Sequence, residues 1–233
     1  MNTPASLLPP DEAERLQTLR HYDVLGAPLD DVFHELVKLA AQLFNQPLAF
    51  MAIVDEHEVC FPALHGAAHL PPVPRAHALC STAILFPHAV AYENLAAAAQ
   101  DGVDAPAIRA ALADGAAFYA AAPLRMPDRN CIGVLCLMGP TSRPFSPAEE
   151  GALEAIAQVA SLGLAVRHLC RATPELGPDL WASVAGRLSR DLHELQRRVR
   201  ELLKLFGQAV PVPFAVLRPV QRRLQALSIV LAQ

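Results

Sequence analysis

Two short apolar runs separated by a turn constrain the fold of this chain most strongly. The runs cover residues 118–126 and 131–138, and a segment rich in turn-forming residues, 127–130, stands between them. Such a segment between two strand-like runs predicts an antiparallel β-hairpin. Because nearly every residue of both runs is apolar, we expect other parts of the chain to cover both faces of the hairpin, which places it centrally in a sheet.

Helical and strand-like segments flank this hairpin on both sides. Apolar residues recur with a helical period over residues 30–44, whereas residues 48–54 are a continuous apolar run that is typical of a buried strand. Ser146 and Glu149 around Pro147 predict a helix start with a capping box. The predicted helices are 11–20, 30–44, 77–86, 105–113 and 147–170, and the predicted strands outside the hairpin are 48–54, 59–64 and 89–92.

These patterns divide the chain into four segments. Residues 1–10 are predicted to be a flexible arm, residues 11–172 a folded domain, and residues 173–178 a linker rich in proline and glycine. The remaining segment, 179–233, is predicted to be a helical hairpin whose second helix covers residues 214–231.

The first helix of that hairpin has a heptad seam, in which apolar residues alternate at spacings of four and three. The seam consists of Trp181, Ala185, Leu188, Leu192, Leu195, Val199, Leu202 and Phe206. Two helices with one apolar face each cannot bury both faces alone. The sequence therefore predicts a covering partner, either a second copy of the chain in a four-helix bundle or the first domain, and we expect a homodimer.

Composition narrows the classes of function. The formal net charge is −4, which favours neither nucleic acid nor an anionic membrane as a partner. The chain begins without a signal-peptide pattern and has no apolar run long enough to span a bilayer, so we expect a cytoplasmic protein. The five cysteines show no short paired spacing, which is typical of reduced thiols; they are Cys60, Cys80, Cys131, Cys136 and Cys170.

The hairpin region also resembles a known family. Residues 118–124 and 132–136, followed by residues 143–146 with Glu149 and Leu153, resemble a GAF domain of the kind found in bacterial sensory and signalling proteins. Upstream segments resemble the family's entry helices, first hairpin and pocket helix; these are 14–33, 54–66 and 74–85. The resemblance covers roughly residues 11–170 and implies an α/β (α+β) fold with a central antiparallel sheet flanked by helices.

The resemblance also implies a ligand cavity between the sheet and the helix that contains Cys80. The implied lining is Phe61, Arg75, Leu79, Cys80, Ile84, Tyr92, Phe118, Tyr119 and Pro123. Arg75 would either pair with an anionic ligand or bond to loop carbonyls as a structural residue. Gly139 stands where the family often has an acidic residue, and alanines replace its Asp-rich segment after the pocket helix, which argues against a polar cyclic nucleotide.

The resemblance therefore implies a non-enzymatic regulatory protein that binds a small, unidentified ligand. Occupancy of the cavity would shift residues 153–170, and this helix would pass the change to residues 181–206. The competing hypothesis is a protein-interaction scaffold with an empty pocket, whose helical hairpin binds another signalling protein.

A group of metal-capable residues gives a further alternative. Their spacings lie within the range of zinc ligands, and they are His57, Cys60, His65, His69, His77 and Cys80. A metal or haem bound there would make the protein a metal-dependent sensor, whereas the plainer interpretation is small buried cysteines and loop histidines. Some relatives attach a bilin through a cysteine followed directly by histidine, and this chain has no such pair.

Two more hypotheses concern cysteine chemistry and phosphotransfer. Some relatives reduce free methionine sulfoxide with cysteines; here Cys131 and Cys136, five apart on one strand, are expected to face opposite sides, while Cys60 and Cys80 are a conceivable pair. His193, next to Glu194 on a helix, faintly resembles the phosphoacceptor histidine of sensor kinases, although no ATP-binding motif follows it.

Overall fold

A computed structural model describes residues 5–98, 102, 104–173, 175, 177–207 and 209–232 of the chain. The helices are Glu12–Tyr22 (α1), Asp31–Phe44 (α2), Leu79–Ala83 (α3), Ala105–Ala113 (α4), Pro147–Arg171 (α5), Gly177–Phe206 (α6) and Phe214–Leu231 (α7). The strands are Leu48–Val54 (β1), Glu58–His65 (β2), Val73–Pro74 (β3), Val90–Tyr92 (β4), Phe118–Arg125 (β5) and Cys131–Gly139 (β6). Short 3₁₀ turns cover Ala5–Leu7 and Arg75–His77.

The six strands of the described residues form one antiparallel sheet in the order β3-β2-β1-β6-β5-β4. The predicted hairpin is confirmed as β5 and β6, and β6 lies between β1 and β5 in the middle of the sheet. In this hairpin Tyr119 stands opposite Met138, and Ala121 opposite Cys136. The predicted fold class, a central antiparallel sheet flanked by helices, is confirmed.

One face of the sheet is covered by long helices. Because successive side chains of a strand point to opposite faces, every second residue of β5 and β6 faces this layer. Phe118 and Leu137 belong there, in the same buried cluster as Phe33 of α2 and Leu153 and Ile156 of α5. We call this side the helical face.

The opposite face carries the short helices α3 and α4. Tyr119, Ala121 and Cys136 point to this side and share a second buried cluster with Leu79 of α3 and Ile108 of α4. We call it the cavity face. Both faces of the central hairpin are therefore covered, as its apolar composition predicts, but by helices of very different length.

The helix predicted over residues 77–86 is much shorter. Ala78 is extended, with φ −117° and ψ 121°, and separates a 3₁₀ turn from the five-residue α3. After Ala83 the chain continues in single turns to Phe86, just before Pro87, whose ring disfavours helix in the preceding residue.

The start of α5 joins several parts of the molecule. Ser146 and Glu149 form the predicted capping box, each side chain satisfying the other's backbone N–H. The fully buried Glu149 also accepts hydrogen bonds from Arg143 and from the backbone N–H of Val212, which lies in the α6–α7 connection. Arg143 lies 5.5 Å from the ring centroid of Phe118, so a buried ion pair connects the sheet to the C-terminal helices.

The C-terminal helices pack on the helical face of the same molecule. Most of the predicted seam is buried in the cluster that contains α2 and α5, and these residues are Trp181, Leu188, Leu192, Leu195 and Val199. Ala185 and Leu202 are half-buried against the same cluster, and Phe206 at the end of the seam is 45% exposed. Of the two predicted covering partners the structure shows the first domain, and a dimer seam along these residues is therefore corrected to an intramolecular interface.

Polar contacts fasten the start of α6. Trp181 Nε1 donates to Asp30 Oδ1 over 3.0 Å, and Arg167 Nε donates to the other oxygen of Asp30 over 2.6 Å. Gly177, placed in the linker by the sequence, is already the first residue of α6, and a Cβ there would stand 1.7 Å from the carbonyl oxygen of Cys170. Residues 174 and 176 of the predicted linker lie outside the described residues.

The predicted N-terminal arm needs a similar correction. Residues 1–4 lie outside the described part of the chain, but Leu7 is buried, and Arg75 Nη2 donates to its carbonyl oxygen over 2.9 Å. The described part of the arm is therefore held against the domain rather than free.

One helix in the described residues is long and apolar enough to cross a membrane. It is α5, and 61% of its most apolar window is buried inside the molecule. Core helices of globular proteins meet the same criterion, so length and composition are weak evidence for a membrane span.

Candidate functional site

A cavity of about 460 Å³ lies on the cavity face, between the sheet and the helices α3 and α4. Its floor is made by buried side chains of the sheet, including Phe50 and Tyr119, and its walls by residues of α3 and α4. The exposed residues Pro71, His77 and Asp114 mark its mouth. Its volume lies within the range of small-molecule sites, about 300–1,000 Å³.

The lining is mostly apolar, and it is formed by Leu48, Phe50, Phe61, Leu70, Pro71, Val73, His77, Ala78, Leu79, Cys80, Ala107, Ala110, Ala111, Asp114, Tyr119 and Met138. Three alanines of α4 contribute small side chains, and this is what leaves the space between α4 and the sheet. Among the described lining residues none is lysine or arginine, and the one carboxylate, that of Asp114, lies at the mouth. The cavity therefore suits a neutral or weakly cationic, largely apolar ligand better than an anion.

Four of the nine predicted pocket residues line this cavity, namely Phe61, Leu79, Cys80 and Tyr119. Phe118 does not, because it is adjacent to Tyr119 on β5 and so points to the helical face, where it packs against Phe145 with ring centroids 5.7 Å apart. Placing both neighbours in one pocket was wrong, since strand residues alternate.

The other predicted lining residues lie nearby but outside the cavity. Ile84 is buried in the same cluster, and the hydroxyl of Tyr92 donates to Asp104 Oδ2 over 2.6 Å. Burial and that carboxylate raise the pKa of Tyr92 well above its usual range. Pro123 lines a separate surface groove beside α5.

Arg75 is a structural residue and not a ligand for an anion. Its Nη1 donates to Glu12 Oε1 over 2.6 Å, Arg15 binds the same carboxylate, and Arg75 is almost wholly buried away from the cavity. Of the two predicted roles for Arg75, the structure shows the bond to a backbone carbonyl, that of Leu7.

The sequence profile of the GAF domain family matches residues 28–164, which is more than half of the chain. The chain belongs to the GAF domain family. GAF domains are typical of sensor and signalling proteins, and the predicted family is thereby confirmed. No curated protein matches the chain.

Several solved structures are similar to this GAF domain. The blue-light absorbing form of the PixJ GAF domain from Thermosynechococcus elongatus is 16% identical with a TM-score of 0.48, covering 68% of this chain and 93% of that one. The GAF domain of the Acinetobacter phosphoenolpyruvate-protein phosphotransferase is 18% identical with a TM-score of 0.48, covering 67% and 96%.

A free methionine-R-sulfoxide reductase from Neisseria meningitidis is 16% identical with a TM-score of 0.46, covering 61% of this chain and 82% of its own. At these identities and scores the likenesses carry no argument about ligand or chemistry in this GAF domain.

Two thiols and a phenol meet beneath the floor of the cavity. Cys80 Sγ of α3 lies 3.7 Å from Cys136 Sγ of β6, and the hydroxyl of Tyr119 lies 3.5 Å from the first sulfur and 3.3 Å from the second. All three side chains are buried, but Cys80 and Tyr119 also line the cavity. We call these three residues the thiol cluster.

The two thiols of the cluster differ in acidity. The hydrogen bond from Cys136 lowers the pKa of Cys80, and so does the one from Tyr119, whereas burial acts in the opposite direction. Burial and the nearby Cys80 raise the pKa of Cys136 well above its usual range, and burial does the same to Tyr119. Cys80 is thus the sulfur that carries a negative charge more readily.

The sequence-based hypotheses about cysteines need correction. Cys60 lies on β2 beside Glu58, 3.8 Å away, and the thiol that Cys80 contacts is that of Cys136, not Cys60. Cys131 and Cys136 belong to the same buried cluster because the register of β5 and β6 shifts between Leu124 and Arg125, which breaks the strict alternation. The Sγ of Cys131 donates to the carbonyl oxygen of Gly133 over 3.2 Å.

The predicted metal cluster is not assembled. In the described part of the chain, no group of three or more histidine, cysteine, aspartate or glutamate residues is placed to hold a metal ion. His57 and His65 stand at opposite ends of β2, and Cys80 is turned towards the thiol cluster. These residues are close in the sequence, but the extended strand β2 separates them in space.

His193 lies on the outer surface of α6 and is 62% exposed on its side chain, with Nε2 3.2 Å from Glu35 Oε1. Glu194, the predicted base, instead accepts a hydrogen bond from Arg198 over 2.7 Å. The carboxylate beside His193 therefore comes from α2, which the sequence around position 193 does not reveal.

Sequence reasoning missed most of the cavity lining, including Phe50, Ala107, Ala111 and Met138. Strand alternation could have found two of them. Met138 stands opposite Tyr119, and so both lie on one face, while Phe50 stands opposite Cys136 on the other neighbour of β6. No such pattern identifies the alanines of α4, because the sequence does not predict which helix covers this face of the sheet.

Proposed function

We propose that this GAF domain protein is a cytoplasmic, non-enzymatic regulatory protein that senses a small, largely apolar molecule in the cavity between the sheet and α4. The observation that carries the proposal is the cavity itself, which has about 460 Å³ of space between the sheet and the helices α3 and α4. Apolar walls with a small number of polar groups are typical of sites for such ligands.

The chemistry of the walls defines the ligand class. The polar groups within reach are the hydroxyl of Tyr119, the thiol of Cys80, and His77 and Asp114 at the mouth. A ligand with an apolar body would bury it against Phe50 and Phe61, and a hydroxyl or amine at its outer end would meet Asp114. An anionic group would find no lysine or arginine among the described lining residues.

A physical connection leads from the cavity to the C-terminal helices. Tyr119 touches the cavity, and its neighbour Phe118 packs under the guanidinium of Arg143, which pairs with Glu149. Glu149 in turn accepts from the backbone N–H of Val212, over 3.0 Å. A ligand that displaces β5 would move this ion pair and so bias the packing of α6 and α7.

Native mass spectrometry of the purified protein, followed by titration with the neutral apolar dye Nile red, tests the proposal. We expect additional mass on part of the sample or saturable binding of the dye. Ala111→Phe fills the cavity and should abolish either signal, whereas Ala113→Phe, on the exposed side of the same helix, should leave it intact. Dye binding of equal strength in both variants contradicts a ligand site in this cavity.

Hydrogen exchange tests the connection separately. Dye binding should change exchange at residues 209–216 in the wild type, and Phe118→Leu, which removes the aromatic contact with Arg143, should weaken that response while the dye still binds. If dye binding does not change exchange in these residues, the proposed connection from the cavity to α7 is contradicted.

A second candidate function is supported by exposed apolar residues at the α6–α7 turn. Leu205, Phe206, Val210 and Phe214 are large and exposed, with Leu205 at 76% and Phe214 at 61%. Exposed apolar patches are typical of protein-interaction sites. On this hypothesis the domain is a scaffold with an empty pocket, and the predicted homodimer forms through this turn instead of the buried seam.

Sedimentation of the wild type and of the double variant Leu205→Glu with Phe214→Glu tests that alternative. A wild-type dimer that becomes a monomer in the variant supports association through the turn. A concentration-independent monomer in the wild type contradicts homodimerisation, and the variant Leu169→Glu, an exposed leucine at the end of α5, serves as the matched control.

A further inference from the structure

We propose that Cys80 and Cys136 are a redox-active dithiol, which a peroxide entering through the cavity converts into a disulfide that links α3 to β6. This inference goes beyond the proposed function and does not depend on it, because the two thiols lie side by side whether or not the domain senses an apolar ligand. Its basis is the thiol cluster and the position of that cluster at the floor of an open cavity.

The geometry suits such a bond. The two sulfur atoms are 3.7 Å apart and a disulfide needs about 2.05 Å, so the side chains have to approach by less than the diameter of one atom. They belong to residues 56 positions apart, on a short helix and on the central strand. Since α3 is five residues long and is followed by single turns, whereas β6 is paired with a strand on each side, we expect α3 to be the element that moves.

Access distinguishes Cys80 from the other buried cysteines. Cys80 lines the cavity, whereas Cys131, Cys136 and Cys170 do not. An oxidant inside the cavity can therefore reach Cys80 before Cys136, which is the sulfur directly beside it. The hydroxyl of Tyr119, 3.5 Å from Cys80 Sγ, donates to that sulfur and favours its thiolate form.

The chemistry balances with hydrogen peroxide as the oxidant. The thiolate of Cys80 attacks one oxygen, the O–O bond breaks, and a sulfenic acid forms while the other oxygen leaves as water after protonation. The sulfur of Cys136 then attacks the sulfur of the sulfenic acid, the S–O bond breaks, and the hydroxyl leaves as a second water with the proton of Cys136. Two thiols lose two electrons and two protons, and one peroxide becomes two waters.

The bridge would change the cavity. Drawing Cys80 towards β6 moves Leu79 and the start of α3, which form part of the wall. The protein would then report oxidant and ligand through the same element, since α3 contacts both the cavity and the central strand.

The experiment treats the Cys60→Ser protein, in which the most exposed thiol is absent, with a modest excess of hydrogen peroxide. Thiols are counted after denaturation, and the linked peptides are identified by mass spectrometry. We expect the loss of two thiols per chain, a peptide pair that joins Cys80 to Cys136, and full recovery of both thiols with dithiothreitol.

Three further variants in the same background make the test specific. Cys80→Ser and Cys136→Ser should each abolish the linked pair, and Cys131→Ser, a buried cysteine on the same strand as Cys136, should leave it unchanged. Ala111→Phe, which fills the cavity, should slow the loss of thiols. A full thiol count after peroxide, or a linked pair other than Cys80 with Cys136, overturns the proposal, and bridging at the wild-type rate in Ala111→Phe overturns the route through the cavity.

The readout stays separate from that for ligand sensing. Failure of Nile red to bind would contradict the proposed ligand site and leave the thiol count unaffected. Absence of the bridge would overturn the dithiol proposal without affecting dye binding.

Discussion

The two faces of the sheet are built by opposite means. On the helical face, the long helices α2, α5, α6 and α7 share one continuous buried cluster with the sheet. On the cavity face, α3 has five residues and α4 nine, and about 460 Å³ between them and the sheet remains unfilled. Close packing stabilises the fold on the helical face. The cavity face instead contains an unfilled space that is lined partly by small side chains, with two thiols beside it.

The difference suggests a division of roles. Long amphipathic helices remove much apolar area from water, and each buried leucine adds roughly 2 kcal/mol to the free energy of unfolding. Short helices with alanine contribute less, but they can move at smaller cost. We therefore expect substitutions to change stability on the helical face and to change binding or reactivity on the cavity face.

The largest effect should come from the C-terminal helices on the helical face. Leu192 of α6 is fully buried there, and Leu192→Ala should lower the free energy of unfolding by about 3–5 kcal/mol through lost contacts and the cavity left behind. Urea denaturation measures it. Phe206→Ala, in the exposed last turn of the same seam, is the control and should change stability by less than about 0.5 kcal/mol.

An equally small loss in both variants, or a separate transition for the helices, would mean that α6 and α7 are not part of the folding unit of the domain. The comparison of the two faces would then apply to residues 12–171 alone.

The buried ion pair at the start of α5 should give the next largest effect. Glu149→Gln leaves the charge of Arg143 buried without its partner, and we expect a loss of about 3 kcal/mol in the free energy of unfolding. Glu150→Gln changes the next residue in the same first turn and removes an equal charge near the helix N-terminus. It should lower the free energy of unfolding by less than about 1 kcal/mol. Equal losses would assign the effect to the helix dipole instead of the buried pair.

These features also show what the sequence could predict. The hairpin, β1, α4 and α7 were predicted from local patterns, because continuous apolar runs and helical periods record burial directly. The sequence could not identify the covering partner of α6. An apolar seam predicts that another surface covers it, but it does not predict which surface that is. The contacts that decide the matter, such as Trp181 with Asp30, join residues 151 positions apart.

The same limit applies to the candidate site. The family resemblance located the cavity between the sheet and the helix of Cys80, yet it also supplied Phe118 and Arg75, which the structure places elsewhere. Alternation along β5 was enough to exclude Phe118. The pairing of Cys80 with Cys136 needed the three-dimensional position of α3 over β6, which no periodicity in the sequence contains.

A matched pair of alanines tests the difference in packing directly. Ala160 of α5 is fully buried on the helical face, and Ala111 of α4 lines the cavity. Ala160→Leu should overpack its surroundings and cost about 1–3 kcal/mol, whereas Ala111→Leu has space and should change the free energy of unfolding by less than about 1 kcal/mol. Thermal and urea denaturation of the two variants provide the measurement, and equal costs would show that the cavity face is packed as tightly as the other.

The smallest effect should come from the ion pairs that Glu12 of α1 makes with Arg15 and with Arg75, which precedes α3. Burial raises the pKa of Glu12, but the hydrogen bonds from Arg15 and Arg75 outweigh it, so the pKa in the folded protein lies below its usual value. A lowered pKa means that the pairing stabilises the protein fully above the unfolded pKa, about 4.3, and is lost as the pH falls through the folded value.

Glu12→Gln should therefore be less stable than the wild type by about 1 kcal/mol near neutral pH, because the carboxylate of Glu12, unlike its two arginines, is partly exposed to solvent. The gap should close as the pH falls below about 4. Glu14→Gln, which changes an exposed acid in the same first turn, is the control and should change the free energy of unfolding by less than about 0.5 kcal/mol. Urea midpoints across this pH range measure both variants. Arg75 precedes α3 in the chain. If the gap closes only for Glu12→Gln, a charge pair holds the start of the pocket helix in place, whereas close packing holds the helices on the opposite face of the sheet.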